Sequence, residues 1–171
     1  MVRYIPLPPL SKLSELPIIF TGMKDGTLLT QSLEDYIEAI YHLETRNRVA
    51  RVKDIAEFLS VQMPSVTGAV KNLKKRKLVN YEKNSFISLT EKGQTVARSI
   101  LRRHTVLQTF LEDILLLPRA QAKAIACKLE HSIDPETTRR IHNCTQYLKE
   151  EVFEKTLNPE EWRSWVSRSV Q

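Results

Sequence analysis

Two short helical patterns separated by a tight polar turn constrain the fold of this chain most. The first pattern repeats apolar residues at helical spacing, namely Val52, Ile55, Ala56 and Leu59. The second begins at Pro64, which suits the first turn of a helix, and runs through Val66 and Val70 to the basic residues 74–77. Two short helices joined in this way are typical of a helix-turn-helix motif.

The residues on either side of this motif predict a winged domain. Residues 78–89 are typical of two short strands around an Asn-Ser turn at positions 84 and 85, which would form a wing. A preceding helix is indicated by apolar residues at Leu33, Tyr36, Ile37, Ile40 and Tyr41. We expect Ser32 to cap this helix, which places Asp35 at its third position.

The rest of the chain predicts further helices. A fourth helix from Thr90 to Leu117 has one long stripe of apolar residues, namely Val96, Ile100, Val106, Leu107, Phe110, Leu111 and Ile114. A fifth helix covers residues 120–131, a sixth begins with Asp134 as its N-cap, and a short terminal helix begins at Asn158. The predicted fold class is therefore mainly α, with a winged helix-turn-helix domain at residues 31–95. We expect an extended arm at 1–30, an all-helical domain at 96–157 and the terminal helix at 158–171.

Basic residues are concentrated in the winged domain. The chain of 171 residues has a formal net charge of +6, but residues 46–103 alone carry fourteen Lys and Arg against four Asp and Glu. Lysine and arginine release counterions from phosphates, and the second helix of the motif reads bases in the major groove. Candidate DNA contacts are Arg51, Met63, Pro64, Ser65, Thr67, Gly68, Lys71, Lys74 and Lys83. The alternatives are charges that only solvate helix faces and a winged module that binds protein.

Cysteine content and hydropathy favour a reducing cytoplasm. Two cysteines, Cys127 and Cys144, cannot build a disulfide-rich secreted scaffold. Prolines interrupt the apolar residues near the N-terminus, so we do not expect a signal peptide, and no apolar run is long enough to cross a bilayer. We therefore expect a cytoplasmic protein without a membrane partner.

Six side chains form a candidate metal site. Cys127, Glu130 and His131 have the i, i+3, i+4 spacing of one helix face, and thiolate, carboxylate and imidazole together are typical metal donors. Asp35 and Glu38 also share one face of their helix. The sixth candidate is His104, in the long fourth helix.

Each candidate ligand also has a purely structural interpretation. Asp35 could complete the helix cap begun by Ser32, and Glu38 could be a solvated helix residue. Cys127 could be a small buried apolar group. His104 could bond a backbone carbonyl, and His131 could interact with the dipole at the end of its helix.

Several separated motifs resemble the diphtheria toxin repressor and manganese transport regulator family of metal-dependent transcriptional repressors. The motifs lie at residues 32–41, 52–56, 64–67, 89–93, 103–104 and 127–131. The resemblance covers about residues 30–150 and is to the short form, without an SH3-like domain. It implies a winged domain that binds operator DNA and following helices that hold metal and form a homodimer.

Position by position, the resemblance assigns Asp35, Glu38, His104, Glu130 and His131 to the ligands of the manganese-type branch. Cys127 stands where that branch has glutamate and the iron-type branch has cysteine, so the ligand set is a hybrid. Lys123 and Gln108 replace the histidine and glutamate of the iron-type ancillary site. We therefore do not expect a complete second site of the iron type.

We expect a homodimeric repressor of metal homeostasis genes that binds a palindromic double-stranded operator when a divalent ion joins the first and fifth helices. The thiolate of Cys127 makes Fe(II) the first expected metal, and the hard carboxylate oxygens of Asp35 and Glu38 make Mn(II) the second. Co(II), Ni(II) or Zn(II) could occupy the same ligands in vitro. A metal-independent winged-helix protein is the alternative. A metallohydrolase with a small-molecule substrate is not expected, because no additional acid or base accompanies the candidate ligands.

Overall fold

The computed structural model describes residues 29–82, 85–153, 155 and 158–168. It divides into two compact units, Met1–Leu101 and Arg102–Gln171. The predicted N-terminal arm lies outside the described residues except for its last two. No helix in the described ranges is long and apolar enough to cross a membrane.

The first unit has three helices followed by a two-stranded wing. The helices are α1 (Gln31–Asn47), α2 (Val52–Leu59) and α3 (Met63–Lys75), and the antiparallel strands are β1 (Val79–Tyr81) and β2 (Ile87–Leu89). The winged helix-turn-helix prediction is confirmed. A bridge between Ala50 and Ile87 connects the wing to the segment between α1 and α2.

The predicted cap of α1 is wrong. Thr30, and not Ser32, is the N-cap, and its Oγ1 accepts a hydrogen bond from Leu33 N at 3.4 Å. Asp35 is therefore the fifth residue of the helix, whereas a capping-box partner must be the third. This removes the capping interpretation of Asp35.

One large apolar core holds the first unit together. Ile37, Ile40, Ile55, Leu73 and Ile87 are fully buried in it. These side chains come from all three helices and the wing, so each element covers apolar surface on another. Burial of this extent is the main favourable term in folding.

The second unit is built from the end of a long helix and three shorter ones. Helix α4 (Glu91–Thr109) begins in the first unit and continues as a π-helical turn at Phe110–Ile114. It is followed by α5 (Arg119–Leu129), α6 (Pro135–Tyr147) with a π-helical extension at Leu148–Phe153, and α7 (Pro159–Val166).

The predicted apolar stripe of α4 packs into two separate apolar clusters. Val96 and Ile100 belong to the large cluster of the first unit, whereas Leu107 and Leu111 pack with Ala122 and Ala126 in a small cluster of the second. Asp134 and Asn158 cap α6 and α7 as predicted, because their side chains accept bonds from Thr137 N and Glu160 N.

Candidate nucleic-acid interface and metal centre

A groove of about 840 Å³ lies between α3 and the wing in the first unit. Its lining residues are Arg51, Val52, Met63, Pro64, Thr67, Gly68, Lys71, Tyr81, Ser85 and Phe86. Two of them are cations, and no carboxylate is among them. The groove therefore combines positive charge with apolar surface. This combination suits DNA, because the cations can pair with phosphates and the apolar side chains can contact sugars.

Six of the nine predicted DNA contacts line this groove: Arg51, Met63, Pro64, Thr67, Gly68 and Lys71. Ser65 is exposed in the first turn of α3 but is not a lining residue. Lys74 Nζ donates a hydrogen bond to Tyr81 O at 2.6 Å, so it connects α3 to the wing. Lys83 lies outside the described residues.

Phe86 is a groove residue that the sequence reasoning missed. Its side chain is half-exposed, and the Arg51 guanidinium lies 5.2 Å from the centre of its ring. The alternation along β2 contains the signal: Ile87 and Leu89 face the core, so residue 86 must face outward. The Arg51 guanidinium near this exposed ring places a cation beside the turn end of the wing.

A partly buried carboxylate connects the wing to α1. Glu44 Oε1 accepts a hydrogen bond from Leu89 N at 3.1 Å. Burial raises the pKa of Glu44, and the bond from Leu89 opposes that change. Glu44 therefore helps to hold β2, the second strand of the wing, against α1.

In the second unit, Glu130 is the centre of a buried polar cluster. Its side chain is fully buried, with Oε2 2.7 Å from His104 Nδ1 and Oε1 3.4 Å from His131 Nε2. Arg103 Nε donates to the backbone carbonyl of Glu130 at 2.8 Å. The cluster therefore brings together three of the six predicted metal ligands.

Gln108 extends this cluster along α4. Its Oε1 lies 3.1 Å from His104 Nε2, and its Nε2 donates to Glu112 Oε1 at 2.5 Å. His104 thus contacts side chains through both ring nitrogens.

Helix α5 is shorter than predicted, which changes how its three candidate ligands are held. It ends at Leu129, with Glu130 as its C-cap, so Glu130 and His131 lie just past the helix. Cys127 is inside the helix and exposed, so it is not a buried apolar group. Asp35 and Glu38 belong to the first unit, where Glu38 Oε1 lies 3.4 Å from His42 Nε2.

The chemistry of these donors fits a divalent transition metal. Carboxylate oxygens, imidazole nitrogens and a thiolate are the donor types that such ions prefer. As arranged in the described residues, no three His, Cys, Asp or Glu side chains form a group that could hold an ion. Glu130 instead makes a hydrogen-bond contact with His104 through Oε2, and its Oε1 lies 3.4 Å from His131 Nε2, so an ion bound by these side chains would replace these contacts.

Winged helix-turn-helix and helical units of this kind define a class of DNA-binding regulators. Two sequence-family models match the chain. The iron dependent repressor N-terminal DNA binding domain matches residues 28–86, and the iron dependent repressor metal binding and dimerisation domain matches residues 90–155. The chain belongs to the iron-dependent repressor family of metal-dependent transcriptional repressors, and the sequence-based resemblance is confirmed. Proteins of this family bind operator DNA, dimerise and depend on a divalent metal.

Individual relatives agree with this assignment. An uncharacterised HTH-type transcriptional regulator of Methanocaldococcus jannaschii is 36% identical over 72% of this chain and all of its own length. The HTH-type transcriptional regulator MntR of Bacillus velezensis is 35% identical over 78% of this chain and all of its own length. Among solved structures, the manganese regulator SloR has 34% sequence identity to this chain and a TM-score of 0.60. The match covers 70% of this chain and 55% of the SloR chain.

Proposed function

We propose that this protein is a cytoplasmic homodimeric repressor of metal homeostasis genes whose binding to a palindromic operator requires Fe(II) or Mn(II). The observation that carries the proposal is the buried contact of Glu130 with His104 and His131, in a chain whose other unit has a basic groove. A buried carboxylate between two histidines is chemically suited to exchange its hydrogen bonds for a cation.

The proposed ligand set is Asp35, Glu38, His104, Cys127, Glu130 and His131. The thiolate of Cys127 favours Fe(II), whereas the carboxylates of Asp35 and Glu38 suit Mn(II). SloR is described as a manganese regulator, which is compatible with the second choice. When bound, the ion supplies the positive charge that several carboxylates need in order to lie close together.

Metal affinity and operator affinity are linked in this proposal. If the metal-bound protein binds DNA more tightly, DNA must raise the metal affinity by the same factor. Half-sites in a palindromic operator for such a dimer are separated by about one helical turn, so that both recognition helices reach the major groove on one side of the duplex.

An anaerobic mobility-shift titration tests the proposal. The operator is first selected from random-sequence duplexes with the Mn(II)-loaded protein, and affinity is then measured with chelator, Fe(II), Mn(II), Co(II), Ni(II) and Zn(II). We expect Fe(II) or Mn(II) to raise operator affinity at least tenfold, since allosteric couplings are typically about 5–150-fold. Equal affinity with chelator and with every metal would contradict it.

A pair of carboxylate variants distinguishes the ligand set from general charge effects. Glu130→Gln retains the shape of the buried side chain but removes its charge, and we expect it to abolish the metal response. Glu136→Gln is the matched control, because Glu136 is an exposed carboxylate of the same unit that pairs with Arg139 and Arg140. The control should respond to metal as the natural protein does.

The second candidate is a winged-helix DNA-binding protein without a metal response. The observation that favours it is the set of hydrogen-bond contacts among His104, Gln108 and Glu130, in which these side chains satisfy one another. In this case Glu130→Gln changes the stability of the second unit and leaves the chelator and metal titrations identical.

A further inference from the structure

Gly68 is an exposed glycine in the interior of α3, at a position where the fold does not require glycine. A Cβ atom added there would meet no atom within 4 Å outside its own helix. Glycine is nevertheless among the least favourable residues in a helix interior, because it loses the most backbone freedom on folding. Alanine at this position would therefore give a more stable helix.

The other glycine in a described helix shows the opposite case. A Cβ on Gly93 would overlap the carbonyl oxygen of Leu78 and would lie 3.2 Å from a methyl group of Leu89. Packing of α4 against the start of the wing therefore excludes any side chain at Gly93. Internal packing gives no such reason for Gly68.

Gly68 lies in the groove between α3 and the wing. Pro64 is one turn before it and Lys71 one turn after it, so these residues share a helix face that lines the groove. Arg51 and Lys71 supply positive charge, and the lining residues include no carboxylate. A polyanion that needs close contact with this face of α3 is the occupant that the charge favours.

We infer that Gly68 is the point of closest approach between the protein and duplex DNA. Without a side chain, the backbone of α3 can lie directly against the DNA, and Lys71 on the same face reaches a phosphate or a base edge. A methyl group at position 68 would hold the helix away from the duplex and weaken the neighbouring contacts together. This inference rests on the proposed DNA-binding function. It adds that Gly68 sets the distance between α3 and the duplex.

The test uses variants that should improve folding and impair binding. We expect Gly68→Ala to raise the Tm of the full chain by about 2–4 °C, since alanine favours the helix. The same variant should bind the selected operator with Mn(II) about tenfold more weakly, and Gly68→Leu about a hundredfold more weakly, because larger side chains displace more contacts. Opposite signs for stability and affinity exclude misfolding as the cause.

Gln94→Ala is the matched control, because Gln94 is an exposed helical residue of the same unit that does not line the groove. It should leave operator affinity unchanged. Binding of bulk random-sequence duplex identifies the part of DNA that fills the space at Gly68. A loss limited to the selected operator indicates base edges, and an equal loss on both duplexes indicates the sugar-phosphate backbone.

Two results separate this inference from the proposed function. If the natural protein binds neither the selected nor the random duplex with any metal, the proposed function fails. If the natural protein binds the operator and both Gly68 variants bind it equally well, the proposed function stands and the inference is overturned.

Discussion

The interiors of the two units differ in kind. The first unit buries a continuous apolar cluster that includes residues such as Ile37, Leu73 and Ile100. The second has four buried apolar residues in its cluster and, beside them, buried Arg103, His104, Gln108 and Glu130. Apolar burial stabilises a fold at any pH, whereas buried ionisable groups stabilise it only while their partners are in place.

The two kinds of interior suit different roles of the two units. A unit that carries a DNA-reading surface gains from a core whose stability is independent of ligands. A unit that responds to a metal needs buried polar groups with alternative partners, and its stability must then change when those partners change. Both tryptophans, Trp162 and Trp165, lie in the second unit, so tryptophan fluorescence follows that unit while circular dichroism follows the whole chain.

The largest expected effect comes from truncating the core of the first unit. Leu73→Ala should lower the free energy of unfolding by about 4 kcal/mol, because a fully buried leucine leaves a cavity in a large cluster. Leu107→Ala, in the small cluster of the second unit, should cost only about 2 kcal/mol, since a small cluster can collapse around the space. Urea unfolding followed by circular dichroism measures both. An equal or larger loss for Leu107→Ala would remove the contrast between the units.

The second expected effect concerns the polar interior. Glu130→Gln should destabilise the metal-free second unit by about 2 kcal/mol, because His104 loses a charged hydrogen-bond partner and His131 loses a nearby carboxylate inside the protein. Tryptophan fluorescence should show this loss in urea. A saturating divalent ion should stabilise the natural protein, by about 2.7 kcal/mol at a hundred times its Kd, and should not stabilise the variant. Stabilisation of both proteins by metal would show that Glu130 is not a ligand.

The winged unit was predicted in detail because its signals are local. Helical spacing, a proline in the first turn and strand alternation are properties of a few neighbouring residues, and no distant contact overrides them here. The wrong cap of α1 has a local cause as well. Thr30 and Ser32 are both capping residues two positions apart, and only the extended backbone at Thr30 decides between them.

For the polar interior of the second unit, the sequence predicts which residue types take part but not how they are arranged. The sequence places Cys127, Glu130 and His131 at helical spacing, but burial of Glu130 depends on His104 and Gln108 from another helix. The early end of α5 likewise has no nearby glycine or proline to indicate it. The burial of Glu130 therefore depends on long-range packing, which periodicity does not encode.

A smaller effect is expected from Cys127, which is exposed on α5. Cys127→Ala should leave the free energy of unfolding of the metal-free protein within about 0.5 kcal/mol, as is usual for exposed positions. Loss of one ligand should weaken metal binding about tenfold or more, as measured by anaerobic calorimetry. Cys144→Ala, at another exposed cysteine, is the control and should bind metal normally. If Cys127→Ala binds metal as tightly as this control, the thiol is not a ligand.

The smallest effect separates surface charges of the second unit from its buried ones. Hydrogen bonds and charge from Arg139 and Arg140 lower the pKa of Glu136 to about 2, and hydrogen bonds from Thr137 lower the pKa of Asp134. A carboxylate with a depressed pKa stabilises the fold above its unfolded pKa, near 4, and this contribution is lost as the pH falls toward 2. Glu136→Gln should therefore reduce the loss of stability between pH 4.5 and 2, measured at fixed urea by tryptophan fluorescence, and should change nothing at pH 7 in the metal titration. An unchanged acid profile would mean that the acid sensitivity of this unit comes from its buried polar cluster.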